Sequence, residues 1–173
     1  MATGTGTGYH VREGSCTRPV GVGELAVSRD PYEVLTAYSL GSCVGLSLYD
    51  PVARVGGLLH AQLPLSRMDP NQAASWPARF TDTGTTRLLQ KVYDMGAKRD
   101  RLVAKAVGGA SMLDEEGRFR IGERNATVLR KVLWKNNIVI AATDLGGTLS
   151  RTLYLHIDDG ATRLRIAGRV LPF

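Results

Sequence analysis

Cys43 and His60 are two residues whose chemistry can combine. A cysteine hydrolase or amidase needs a thiolate to attack a carbonyl carbon, an imidazole in hydrogen-bond reach to move protons, and backbone amides facing the developing oxyanion. Between the two residues lies Asp50-Pro51, a turn starter, because Asp bonds its own backbone further on and Pro presets the next dihedral. If residues 50–53 form a four-residue hairpin loop, Tyr49 pairs with Arg54 and Cys43 falls directly opposite His60. Opposed residues share a sheet face with Cβ atoms about 4.5–5.5 Å apart, a gap these side chains close, so the pair is expected to share an open cleft. A one-residue change in the loop would turn His60 to the other face. Parity places Val44, Leu46 and Leu48 on one face and Cys43, Gly45 and Ser47 on the other, so Cys43 need not belong to the main core. Gly41-Ser42 allows close backbone approach, and the amides around Cys43 are oxyanion-hole candidates.

Taken alone, a buried cysteine is more often a small hydrophobe, and a strand histidine more often a hydrogen-bonded structural residue. His156 alternates with Leu155 and Ile157 as an outward strand residue does, and with His10 and Cys16 it gives no recognisable zinc-ligand spacing. No metal is assigned. Gly108-Gly109-Ala110-Ser111 meets neither the phosphate-loop pattern nor the Gly-x-Ser-x-Gly elbow, and reads as a tight strand-end turn.

The chain has 173 residues, enough for one domain with its own core. Residues 1–18 are rich in Gly and Thr without hydrophobic periodicity and read as a disordered tail, which leaves 19–173 as a single domain. The start carries no basic region or apolar core, and no apolar run is long enough to span a bilayer. Two cysteines make no disulfide framework and suit a reducing compartment, so a cytoplasmic protein without membrane insertion is expected. The net charge of +6 favours acidic partners, but the basic residues are scattered without interleaved aromatics, which argues against nucleic acid.

Strands are expected over 20–27, within 35–49 and over 55–63, followed by a polar surface loop over 64–79. Thr81 or Asp82 can cap a helix carrying Leu88, Leu89, Val92 and Met95, with Gly96 at its end. A strand over 101–107, a helix over 121–137, an interior strand over 138–143 and a hairpin over 152–170 around Asp158-Asp159-Gly160 complete the reading.

Several segments then occur together in order: Gly23-Glu24-Leu25-Ala26-Val27, Leu40-Gly41-Ser42-Cys43-Val44, Asp50-Pro51, and His60 followed by Leu63-Pro64. Phe80-Thr81-Asp82-Thr83, Gly108-Gly109-Ala110-Ser111-Met112, Ile121-Gly122 with Arg124-Asn125, and Asp144 with Gly146-Gly147 and Arg151 continue the series. Over residues 21–170 the chain thereby resembles the CheD family of bacterial chemoreceptor glutamine deamidases. The resemblance implies an α+β chain folded as a three-layer α/β sandwich, with packed mixed β-sheets flanked by helices. It also implies Cys43 as nucleophile and His60 as base, hydrolysing receptor glutamine side chains to glutamate without a cofactor. In that family a threonine six positions before the cysteine orients the histidine, and this chain has Ala37 there. Thr36, which needs a bulge to reach the same face, and Ser39, which shares the parity of Cys43, are the candidate third members. The implied partners are chemoreceptor cytoplasmic domains and the CheC phosphatase. The alternative is a catalytically weak adaptor that docks on receptors or CheC, a reading that the missing threonine favours.

Overall fold

A computed structural model describes residues 13–111 and 120–173. In chain order its elements are β1 (Cys16–Pro19), β2 (Glu24–Ser28), β3 (Glu33–Leu40), β4 (Val44–Asp50), β5 (Val55–Ala61), α1 (Pro70–Ser75) and α2 (Thr81–Asp94). There follow β6 (Val103–Gly108), α3 (Ile121–Lys135), β7 (Ile140–Leu145), β8 (Arg151–His156), β9 (Thr162–Ile166) and β10 (Arg169–Pro172). The strands form two mixed five-stranded sheets, a central one ordered β2-β5-β4-β6-β7 and an outer one ordered β1-β3-β8-β9-β10.

Every residue of β4 and β5 is buried, because both faces of the central sheet are covered. On one face Val44, Leu46, Leu48, Val55, Leu59 and Ala61 pack against Leu88, Leu89 and Val92 of α2 and Leu129 and Leu133 of α3. On the other, Tyr49, Leu58 and Val107 meet Leu35, Ala37, Leu40, Leu153 and Leu155 of the outer sheet. The three layers are therefore sheet, sheet and helices, an α+β sandwich with its two long helices on one side.

The structure departs from the sequence reading at particular elements. Residues 16–18, assigned to the tail, belong to β1, which pairs in parallel with β3 from Cys16↔Glu33 to Pro19↔Thr36; residues 1–12 of that tail, including His10, lie outside the described residues. The segment over 64–79 is not a plain loop but holds α1 between two short 3-10 turns, with the Asp69 carboxylate accepting from Gln72 N at 3.0 Å to cap α1. Neither Thr81 nor Asp82 caps α2: the Asp82 carboxylate turns back to Ser66, and the Thr81 hydroxyl reaches across to α3. β7 lies at the edge of the central sheet, not in its interior, and none of its residues is fully buried. The last hairpin is broken at Ala167-Gly168, both at positive φ, which turns β9 back into β10.

The β4–β5 register differs too. The loop has four residues, but Asp50 stays in the strand and pairs with Val55, so Gly45, not Cys43, faces His60. The cause is the Asp50 carboxylate. It accepts from Val52 N and Ala53 N at 2.9 and 3.0 Å, from Lys98 N at 2.8 Å, and from the Arg101 guanidinium at 2.7 Å. Burial works against its charge, but these donors outweigh it and hold the carboxyl well below the usual carboxylate range. The resulting shift is two residues, an even number, so sheet faces are preserved.

Candidate active site

Cys43 ends the short segment Gly41-Ser42-Cys43 that joins β3 to β4 across the two sheets. Its side chain is half-buried and packs against the inter-sheet core, the side also faced by His60. All three carbonyls of the segment are tied to the body of the protein. Gly41 O accepts from Ala110 N at 2.8 Å, Ser42 O from Asn125 Nδ2 at 2.9 Å, and Cys43 O from Gly109 N at 2.8 Å.

The approach behind Cys43 allows no side chains. A Cβ on Gly108, at φ 101°, would stand 2.3 Å from Cys43 O, and one on Gly109, at φ 62°, would stand 2.8 Å from Gly122 O. The paired glycines thus form the strand-end turn that the sequence suggests, and they buttress the Cys43 segment.

His60 projects from β5 and is only 2% exposed, so it does not line an open cleft. Its Nδ1 lies 3.2 Å from Val20 O, and its Nε2 is buried without a hydrogen-bond partner. A carbonyl only accepts, so the ring proton sits on Nδ1 and Nε2 carries the lone pair. Burial pushes the imidazole's pKa down, outweighing the opposite pull of Val20 O and the Glu24 carboxylate. Burial likewise pushes the Cys43 thiol up, while its own backbone amide favours the thiolate. The resting pair is a neutral thiol and a neutral imidazole, with no hydrogen bond from Nε2 to the sulfur.

Neither proposed third member touches His60. Leu35 and Ala37 face the central sheet, so Thr36 between them faces away; its hydroxyl donates to Val34 O at 3.4 Å. The irregularity that shifts the β3–β8 register lies between Ala37 and Leu40, beyond Thr36, and leaves Ser39 exposed at φ 55°. Thr36 contributes through its main chain instead: Thr36 O accepts from Val20 N at 2.8 Å and so anchors the residue whose carbonyl holds the imidazole.

Comparison with known proteins fixes the family. Residues 62–166 match the CheD family model, described as CheD chemotactic sensory transduction. The chain is 48% identical over 150 residues to the probable chemoreceptor glutamine deamidase CheD of Solibacter usitatus, covering 87% of this chain and 89% of that relative. It is 41% identical over 153 residues to the probable chemoreceptor glutamine deamidase CheD 2 of Anaeromyxobacter dehalogenans, covering 88% and 96%. To the probable chemoreceptor glutamine deamidase CheD of Pyrococcus abyssi it is 42% identical over 156 residues, covering 88% and 94%.

The chain belongs to the CheD family. The CheD model match begins at Gln62, after Cys43 and His60, and includes Thr81, Gly108, Gly109 and Asn125. Among the described residues of this CheD chain no helix is long and apolar enough to cross a membrane.

Two neighbours of the site were not singled out as such from sequence. Val20 gave no signal, because it acts through its carbonyl. Asn125 did: it sits four residues before Leu129 on the apolar stripe of α3, where a buried polar side chain requires partners.

Proposed function

We propose that this CheD-family protein hydrolyses glutamine side chains on the cytoplasmic helices of chemoreceptors to glutamate, with Cys43 as nucleophile and His60 as general base. The observation that carries the reading is His60 itself, a neutral imidazole with Nδ1 committed to Val20 O and an unpartnered Nε2 that carries the lone pair on the sheet face that Cys43 shares. A buried polar atom without a partner is costly and calls for an explanation, of which a catalytic role is one.

In this mechanism Nε2 takes the thiol proton as the sulfur attacks the carboxamide carbon. The Cys43 amide, which favours negative charge at this position, donates to the developing oxyanion. The imidazolium returns its proton to the leaving nitrogen, ammonia departs, and a thioester remains. His60 then deprotonates a water that attacks the thioester, and the thiol leaves with that proton as glutamate is released. The net charge of +6 assists docking on a Glu-rich receptor surface.

Incubation with a receptor cytoplasmic fragment, followed by peptide mass analysis, tests the reading. Wild type is expected to convert particular glutamines to glutamate, and Cys43→Ala and His60→Ala to leave them intact, whereas Ser111→Ala retains the conversion. An adaptor for receptors or CheC is the second reading, favoured by the absence of any described hydroxyl side chain on His60 Nδ1. Equal receptor binding by wild type and Cys43→Ala, with every glutamine unchanged, would establish it instead.

A further inference from the structure

Asn125 is fully buried, and its amide joins three parts of the chain that are distant in sequence. Nδ2 donates to Ser42 O and to Gln62 O, both at 2.9 Å, while Oδ1 accepts from the Thr81 hydroxyl at 3.0 Å. The orientation of the amide is settled by its partners, because two carbonyl oxygens can face only the nitrogen. Ser42 adjoins the nucleophile, and Gln62 lies two residues beyond His60. We propose that Asn125 is a positioning residue for deamidation, clamping the Cys43 segment to the His60 strand, with the Thr81 hydroxyl setting the angle of the clamp. The proposal rests on the deamidase reading and deepens it.

The geometry gives the clamp a specific task. Ser42 C=O and Cys43 N–H belong to one trans peptide plane and point in opposite directions. Holding the Ser42 carbonyl toward Asn125 therefore aims the Cys43 amide away from α3 and fixes the direction of the oxyanion donor. The same nitrogen fixes the separation of the segment that carries the sulfur from the strand that carries the imidazole. Neither Asn125 nor Thr81 is exposed to a docking partner, each being 0% accessible, so the clamp acts on the chemical step rather than on receptor binding.

Asn125→Asp keeps the shape of the side chain and sets an oxygen against the two carbonyls. Thr81→Val keeps the β-branched shape and removes only the hydroxyl, so it serves where the first variant fails to fold. Deamidation of a receptor fragment is measured for kcat and KM, beside the unfolding midpoint and the pH profile of Cys43 alkylation by iodoacetamide, read by peptide mass. The expected result is a kcat reduced about 100-fold in Asn125→Asp and about 10-fold in Thr81→Val at unchanged KM, the cost of a small misplacement of reacting groups. The alkylation profile is expected to move to higher pH, because the re-aimed Cys43 amide no longer favours the thiolate. A lowered midpoint with kcat per folded molecule and the alkylation profile both unchanged would overturn the proposal. If wild type leaves every glutamine intact, the deamidase reading fails, and the alkylation profile decides the clamp alone: a shift supports it, superimposed profiles overturn it.

Discussion

The carbonyl oxygen of Val20 meets Nδ1 of His60 at 3.2 Å, and the amide of the same residue donates to Thr36 O at 2.8 Å. One residue thus transmits the position of the outer sheet to the imidazole, and β1, immediately before it, keeps that residue in line through its parallel pairing with β3.

Removal of residues 1–18 is therefore expected to do more than shorten the chain. It deletes most of β1 and frees the strand end that carries Val20. Thermal unfolding should shift to lower temperature, and the deamidation rate should fall about 10-fold as the ring loses its fixed acceptor. An unchanged midpoint and rate would show that Val20 is held without β1.

The acid side of the stability curve carries the signature of His60. Its folded pKa lies below the ordinary value of 6.5 because of burial, so in moderate acid the unfolded chain binds a proton that the folded chain refuses. Stability is full above about 6.5 and is lost as pH falls through that value toward the folded pKa. His156, also depressed by burial, acts with the same sign. Unfolding midpoints measured from about pH 8 to about pH 5 should decline, and His60→Gln should flatten part of that decline. A slope unaffected by His60→Gln would mean that the imidazole is solvated in the folded protein.

Gly108→Ala is expected to injure the site directly. Its φ of 101° suits glycine, and the added Cβ would stand 2.3 Å from Cys43 O. Strain of about 1–3 kcal/mol is the expected stability cost, with a larger effect on kcat, on the proposed mechanism, because the collision displaces the backbone of Cys43 itself. Calorimetry and deamidation rates on the same preparation separate the two; a variant with wild-type kcat would refute the buttress.

Much of the architecture was legible because it is written in periodicity. The apolar stripe of α2, the parity of Val44, Leu46 and Leu48, and the helix ends at Gly96 and Asn137 all follow from local patterns, and both end residues adopt positive φ. The β4–β5 pairing was legible but its register was not. That register depends on whether Asp50 belongs to the loop or to the strand, and Lys98 and Arg101, far along the chain, help to hold it in the strand. β7 was misplaced for a similar reason, since an apolar run does not state which side of a sheet it joins. Within the candidate site, Cys43 and His60 stand out by residue type. Residue types point to a hydroxyl side chain as the partner of the imidazole, whereas the structure provides a main-chain oxygen that no residue type announces.

Gly108, Gly109 and Gly122 bring three stretches of backbone so close behind Cys43 that any added methyl would collide with a carbonyl oxygen. A wall made of main chain has no rotamers to exchange and nothing to repack when its surroundings change. With the carbonyls of Gly41, Ser42 and Cys43 also pinned, the Cys43 side chain is left with rotation about its own Cα–Cβ bond as its principal freedom. The sulfur therefore travels on an arc of fixed centre, like a tool on a jig, and any group that is to react with it must come to that arc.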